Sequence, residues 1–501
     1  MTLSGRPISP WLDETPAAAR PQLDRDLAVE VAVVGAGLIG LSTAIELQRR
    51  GVSVAVLEAR SVAAGVSGNT TAKLSSLHGL TYDSLLAAQG RDAAGAYAAA
   101  NQWGIDQVER TASELGIDCD LRRKPNFTYT EAPARVEQLG AEAEAARSLG
   151  LSATFTEETD LPFEVAGAVR LDDQAEIQPV AYLRGIADAL DSEEPTVYER
   201  TRVVAVDGTV RTEAGPRVDA RRVVLATQIP FLDRGLFFAR AGVQRSYATS
   251  VRIHGELPSA MYLQGERPGR SLRSLRWRDE ELLLVGGESH ELGHGDPAEK
   301  LEALQRYARD RFDVVGFEHL WSAHDFMPED GMPYIGRLWP FSDRIWVATG
   351  MRKWGLAMGT AAARILADEL TGEANEWART FDPLRLPPLR SAPGLVRHNA
   401  DSGLHFFADR ARRGRRAADL MPGEGTVVRR GLAQHAVHRD RDGVLHAVSA
   451  RCTHLGCIVG WNAPEQTWDC PCHGSRFGAG GEVISGPATR ALEAVSTPED
   501  D

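Results

Sequence analysis

The sequence predicts an α/β domain of doubly wound type over most of the chain, then a smaller all-β domain at the C-terminus. Three observations carry this expectation. A strand, a Gly-x-Gly-x-x-Gly turn, a helix and a second strand ending in an acid follow one another between residues 29 and 58. A second glycine-rich strand-to-helix turn, Gly350–Gly359, stands some 300 residues later. Four of the five cysteines then crowd into residues 452–472, interleaved with histidines.

At roughly 100–200 residues per domain, 501 residues suffice for two to four domains. With 43% hydrophobic, 25% charged and 7% aromatic residues, the composition is that of a folded globular chain, which sets aside disordered, collagen-like and coiled-coil readings. A net charge of −13, from 56 basic and 69 acidic residues, argues against nucleic acid as a partner. No run of about 18 apolar residues occurs, and the first residues have neither a cationic stretch nor an apolar core. Neither an integral membrane span nor a secretory signal is therefore expected, and the chain reads as cytoplasmic.

The first element is the apolar run 29–34, of the kind a buried parallel strand needs. Gly35 permits the tight turn after it, Gly37 lets backbone approach a pyrophosphate, and Gly40 lets the following helix pack closely on the strand. The amino end of that helix offers unpaired N–H groups and a positive dipole to phosphates. Gly51 ends the helix, residues 52–57 form the second strand, and Glu58 can accept hydrogen bonds from ribose hydroxyls. Residues 222–227 repeat the buried-strand pattern, and 344–349 form a strand running into Gly350 and Gly355, with a helix over 360–370.

Here the chain resembles the D-amino-acid-oxidase-like (DAO) family of FAD-dependent oxidoreductases over about residues 27–375. The carriers are Gly35–Gly40 with Glu58, Gly65–Lys73, Ala175–Pro179, Ala226-Thr227, Pro328–Gly336 and Gly350–Gly359. The resemblance implies FAD as cofactor and oxidation of an amine-bearing carbon by hydride transfer. It also implies a mixed substrate sheet inserted in the flavin domain, and the alternating stretches 271–277 and 281–286 fit that sheet. A helix beginning near Gly355 would aim its positive end at the flavin pyrimidine. Sarcosine-oxidase-like relatives attach flavin through a cysteine just before the proline motif. Residues 321–328 contain none, so FAD is expected to be noncovalent and Cys119 to be a buried structural thiol. His78 lies near the early flavin loop, and other relatives attach flavin to histidine there. Its spacing differs, so it reads as a supporting loop residue.

At the C-terminus, Cys452-x-His454 and Cys470-x-x-His473 can place two thiolates on one iron and two imidazoles on the other, the ligation of a Rieske [2Fe-2S] cluster. Tetrahedral zinc is the competing reading of a Cys/His set, but it would not need the two further cysteines, Cys457 and Cys472. From about residue 418 the chain also resembles the Rieske ferredoxin-like fold, through Pro422–Gly425, Asp440–Gly443, Trp461-Asn462, Trp468-Asp469 and Gly486–Ala488. That likeness implies a Cys457–Cys472 disulfide clipping the two cluster loops. It also implies a Ser475 hydroxyl that bonds a bridging sulfide, and Phe477 in place of a tyrosine, hence an intermediate potential.

The expected domains are an N-terminal arm (1–26), the flavin domain (27–377), a linker and helix (378–417) and the Rieske domain (418–499). Residues 382–394 read as a proline-rich connector. Residues 401–420 read as a helix whose Arg410, Arg412, Arg413, Arg415 and Arg416 either dock the Rieske module or form a solvated face.

Candidate catalytic residues are Lys73, for an anionic group or the flavin N5, and Lys353, with Trp354 beside it in the turn entering the last helix. Arg276 and His290 are weaker candidates for gripping a carboxylate, and Trp321 and His324 for lining the pocket. The expected function is a dehydrogenase that oxidises a small amine or amino acid at FAD. Electrons would then pass to the cluster and on to an acceptor protein or a quinone. The alternative is a relay or sensor exchanging electrons with partner proteins without a small substrate. A Rieske oxygenase fits poorly, because no second iron site with two histidines and a carboxylate is evident.

Overall fold

The computed structural model describes residues 3–15, 19–192, 194–385, 416–431 and 433–497. Val31–Val34 are wholly buried, as a central parallel strand requires. The strand Leu27–Val34 pairs in parallel with Val54–Leu57 on one side and Arg217–Leu225 on the other, and the latter pairs in parallel with Ser342–Thr349. The eight-stranded sheet is completed by Tyr334–Trp339, Val197–Tyr198 and the hairpin Val203–Asp207/Thr209–Thr212. The carboxyl ends of its central strands therefore meet along one edge, where open α/β sheets hold their ligands.

Helices Leu38–Arg49 and Ala357–Thr371 cover one face of this sheet. Gly359 makes their approach possible, since a Cβ there would stand 3.0 Å from the Ile39 side chain. The expected helix over 360–370 begins three residues earlier, at Ala357.

The inserted sheet is mixed and has nine strands: eight run in order from Asp313–Pro328 through Ala241–His254, Glu280–Glu291, Arg270–Trp277, Met261–Gln264, Arg122–Thr130 and Gly167–Glu176 to Lys73–Leu74, and Thr154–Thr156 pairs beside Gly167–Glu176. The two alternating stretches form the antiparallel hairpin Arg270–Trp277/Glu280–Glu291. The segment before the first strand is pinned to this body. Trp11 is buried and donates to the Thr70 carbonyl at 2.8 Å, and Arg6 N–H donates to the Glu318 carbonyl at 2.9 Å.

The C-terminal region is all β. The sheet Gly425–Arg430, Ala433–Arg439, Leu445–Ser449 stands beside a second sheet, Gly460–Asn462, Thr467–Asp469, Arg476–Gly478, Val483–Ser485. The four clustered cysteines pack in one core with Trp468 and Phe477, both fully buried.

Of the proline-rich connector only 382–385 is described, and Arg385 there grips Asp330 with bonds of 2.8 and 3.0 Å. The basic helix expected over 401–420 lies outside the described residues up to 415, and 417–419 form a single 3-10 turn. Among the described residues no helix is long and apolar enough to cross a membrane.

The C-terminal all-β region is seated on the larger α/β region. Arg245, on the long strand Ala241–His254, is buried and donates to the Asp469 carboxylate. Around that pair, Arg476 reaches Asp469 at 3.1 Å and Glu465 at 3.0 Å, and the Ser322 hydroxyl donates to Glu465 at 2.6 Å. Burial alone would raise the Asp469 carboxyl. Arg245 and Arg476 outweigh it and hold the group well below the usual carboxylate range.

Candidate functional site

A cavity of about 430 Å³ opens at the carboxyl edge of the parallel sheet. Its walls come from the Gly35–Ile39 turn, Glu58–Arg60, Gly65–Thr71, the sheet strands around Ser246 and Arg270, the Gly350–Leu356 turn, and Ile484–Thr489 of the C-terminal β region.

The glycine cradle fits a dinucleotide. Gly35 has φ +106°, and a Cβ there would stand 2.7 Å from the Ala226 carbonyl oxygen. A Cβ at Gly40 would stand 1.9 Å from the Gly35 oxygen. Neither position admits a side chain, so the turn is tight where a pyrophosphate would approach. Gly37 is the N-cap of helix Leu38–Arg49 and carries no capping side chain, and the Leu38 N–H donates to the Ser67 hydroxyl at 3.1 Å, so that this amino end and Ser67 together line the cavity where an anion would approach. The Glu58 carboxylate is fixed by backbone N–H groups of Ala36 and Arg60, each at 2.8 Å, with lone pairs remaining for a ribose. Gly350 has φ +76°, and its Cβ would strike Pro328 at 2.4 Å. Gly355 lines the cavity but is under no such constraint, its nearest neighbour being the Met351 side chain at 3.6 Å.

Two lysines face the space opposite the glycine turn. Lys73 lines the cavity and is buried, its ammonium donating to the Tyr262 carbonyl. Burial, and then Arg273, push its pKa well below the ordinary lysine value. Lys353 projects into the cavity and donates to the hydroxyls of Ser246 at 3.0 Å and Ser289 at 2.5 Å. It is solvent-accessible through the opening, yet enough protein surrounds it for desolvation to lower its pKa, with Asp325 opposing. Arg352 and Lys353 both sit in the left-handed region, at φ +50° and +74°. Two consecutive non-glycine residues there store backbone strain of the sort found at functional sites.

The weaker candidates divide. Trp321 lines the cavity and donates to the Asn69 carbonyl at 3.0 Å. His324 does not line it; it turns toward the C-terminal β region and accepts from Arg245 Nε at 2.8 Å. Arg276 is exposed at the far end of its strand, and His290 stacks on Tyr247 without lining the cavity, so neither grips a ligand there. His78 lies behind the cavity wall, stacked on Trp354 at 4.2 Å and bonded to the Tyr97 hydroxyl at 2.7 Å. That is a supporting position. Cys119 is buried, with its thiol pushed up to about 11 chiefly by desolvation, as an inert structural thiol would be.

Among the lining residues that escaped the sequence reading are Arg270 and Asp325. Arg270 is buried at the cavity end of the strand that carries Arg276, and Asp325 follows His324. Burial raises the Asp325 carboxyl, with Lys353 opposing. Asp325 stands three residues before Pro328 and was within reach as an acid beside the proline motif. Arg270 carried no local signal.

At the C-terminal site, loops 452–457 and 470–475 face one another. The Cys457–Cys472 disulfide joins them with Cα atoms 6.6 Å apart. Cys452 and Cys470 are buried free thiols. Cys457, Cys470 and Cys472 bring their sulfurs within 4.8 Å of one another, but two of these belong to the disulfide. The rings of His454 and His473 lie 5.1 Å apart, and His454 Nδ1 is buried with no hydrogen-bond partner, poised as a ligand nitrogen. Ser475 is fully buried, its oxygen accepting from the Ala488 N–H at 3.0 Å, which leaves its O–H to point elsewhere. Two free thiols, two facing imidazoles and an orphaned ring nitrogen fit a [2Fe-2S] cluster of Rieske type.

Comparisons with known proteins agree with this division. The family model for FAD dependent oxidoreductases (DAO) matches residues 30–369, and that for the Rieske [2Fe-2S] domain matches residues 414–496. A Bacillus subtilis (strain 168) protein named for a Rieske 2Fe-2S iron-sulfur centre, YhfW, is 32% identical over 498 residues, covering 98% of this chain and 97% of that protein. The cytochrome b6-f complex iron-sulfur subunit of Synechococcus sp. (strain JA-3-3Ab) is 56% identical over 55 residues, 11% of this chain and 32% of that subunit. Among solved structures, glycine oxidase from Geobacillus kaustophilus superposes with a TM-score of 0.59 at 20% identity, over 72% of this chain and 99% of that one.

Proposed function

The chain belongs to the FAD dependent oxidoreductase (DAO) family and ends in a Rieske [2Fe-2S] domain. On that premise we propose that it is a dehydrogenase that oxidises a small amine or amino acid and passes the electrons to its own cluster. The observation that carries this reading is the shared cavity, whose wall includes both the flavin-fold turns and Ile484–Thr489 of the Rieske region. Glycine oxidase, similar in fold, is named for a small amino-acid substrate.

Bound FAD would supply hydride acceptance from a carbon that bears nitrogen, and a bound cluster would supply one-electron acceptance. The chain's own residues do the rest. Gly35, Gly37 and Gly40 would let backbone close on the pyrophosphate, and Glu58 would hold the ribose. The Gly350–Gly355 turn, which lines the cavity ahead of helix Ala357–Thr371, would hold the flavin end of the cofactor. Lys353 would bind the anionic end of the substrate, Asp325 would face its nitrogen, Arg270, ion-paired to Glu288 at 2.6 Å, would stiffen the wall beside it, and Lys73 would line the flavin side with its amino group held on the Tyr262 carbonyl. Trp321 and Trp354 exclude water, so orientation and desolvation do the work of a dedicated base. Cys452 and Cys470 would hold one iron, and His454 and His473 the other, with an acceptor protein or a quinone as the partner that would take the electrons onward.

The test is anaerobic mixing of the holoprotein with a panel of amines and amino acids, with flavin absorbance and cluster EPR recorded together. Bleaching by one compound, followed by the reduced Rieske signal, upholds the dehydrogenase. Bleaching without cluster reduction removes the internal electron path. Bleaching only by a reduced carrier protein replaces the enzyme with a relay.

A further inference from the structure

The edge of the cluster site that carries the histidines does not face open solvent. His454 Nε2 lies 3.0 Å from the carboxylate of Asp233, a flavin-domain residue more than two hundred positions away in sequence. Its side chain is only 5% exposed, whereas that of Asp233 is 48% exposed, so the acid reaches over a nearly enclosed imidazole from outside. Phe238, from the same segment, stands nearly perpendicular to both imidazoles, with ring centroids 5.8 Å from His454 and 5.0 Å from His473. Beneath them Gly474 comes so close to the long strand Ala241–His254 that a Cβ would stand 3.1 Å from Val243. The salt-bridged group Arg245, Asp469, Arg476 and Glu465 fixes the same seat from the other side.

We propose that residues 233–238 of the flavin domain form a built-in dock for the histidine edge of the cluster, and that Asp233, acting through His454, sets the cluster's reduction potential. This rests on the assignment of His454 as an iron ligand. A carboxylate that accepts the outer N–H of a ligand imidazole makes that ligand more electron-donating. Its negative charge also favours the oxidised, more positive cluster. Both effects lower the potential, so Asp233 is a positioning and tuning residue, held in place by the domain that supplies the electrons.

The experiment is a redox titration of the full-length holoprotein at one pH, read by the EPR of the reduced cluster, in the wild type, Asp233→Asn, Asp233→Ala and Asp442→Asn. Asp442 is an exposed acid in a hairpin turn of the Rieske sheet and controls for loss of surface charge. Both Asp233 variants are expected to keep FAD and the EPR line shape of a Rieske cluster. Their midpoint should move upward by about 59 mV, a tenfold change in a one-electron equilibrium, while Asp442→Asn stays at the wild-type value. Should Asp233→Ala lose the cluster, Asp233→Asn decides. Asp233 variants that keep the wild-type midpoint, or move with Asp442→Asn, overturn the proposal and leave the ligand assignment standing. A chemically reduced wild type with no Rieske signal overturns the ligand assignment, and the dock with it.

Discussion

Lys353 shows how one side chain joins strain, electrostatics and chemistry. Its backbone sits at φ +74°, and its ammonium bridges Ser246 and Ser289 on the opposite wall. Desolvation lowers its pKa, so the ammonium is lost at a lower pH than an ordinary lysine would lose it. If it grips the anionic end of the substrate, kcat/KM falls as pH rises through that lowered value. Lys353→Met is expected to abolish this limb and reduce kcat/KM by roughly tenfold or more, the worth of a charge-assisted hydrogen bond. FAD content should be unchanged. Stopped-flow flavin reduction across pH, wild type against variant, measures both. The type and place of Lys353 were legible, because the turn before the last helix is a local motif. Arg270 was not, because its access to the cavity depends on which end of a strand abuts the flavin domain. Arg276, six residues on at roughly 3.3 Å per residue, ends about 20 Å away.

Among the elements, the strand–turn–helix at Gly35–Gly40 and the two cluster loops are the most exposed to single changes. In Gly40→Ala the new Cβ would meet backbone oxygen at 1.9 Å. Helix and strand must separate, and the purified protein is expected to lose its flavin absorbance while the Rieske EPR signal persists. The Cys457–Cys472 disulfide closes a loop with a sequence separation of 15. Such a loop stabilises by about 3 kcal/mol in the chain-entropy account. The double variant Cys457→Ala/Cys472→Ala should therefore lose its EPR signal at a lower temperature than the wild type, with the flavin transition unmoved. These elements were readable because each turn, spacing and period is local in sequence. Their boundaries shifted by a few residues where packing extended them, as in Leu27–Val34 and Ala357–Thr371.

The whole molecule depends on how its two redox regions are joined. Asp469 is largely enclosed between Arg245 and Arg476, with its side chain 12% exposed, and removing one partner of a buried pair costs at most about 3–5 kcal/mol. Asp469→Asn is expected to lower the melting temperature and to slow cluster reduction by substrate, measured by calorimetry and by rapid-freeze EPR. Because the folded carboxyl is held far below its unfolded value, its contribution is fully present above the unfolded value, near pH 4. It is lost only as pH falls toward the folded one. Titration of this contact should therefore leave the domain seat intact between pH 5 and 8, and acid that releases the Rieske region in that window would refute its role.

The sequence by itself determined the two folds, and FAD and the cluster as cofactors. Each of these rests on short motifs, the glycine turns and the paired Cys/His loops, within which the chemistry needs a fixed local spacing. Only the tertiary structure decided that His324 serves the domain seat and not the flavin pocket. It alone set Arg270 and Asp325 on the cavity wall, and Asp233 against His454. Those contacts join segments tens to hundreds of residues apart. Strand order, register and the docking of one core on another select such partners, and no periodicity along the chain encodes that choice.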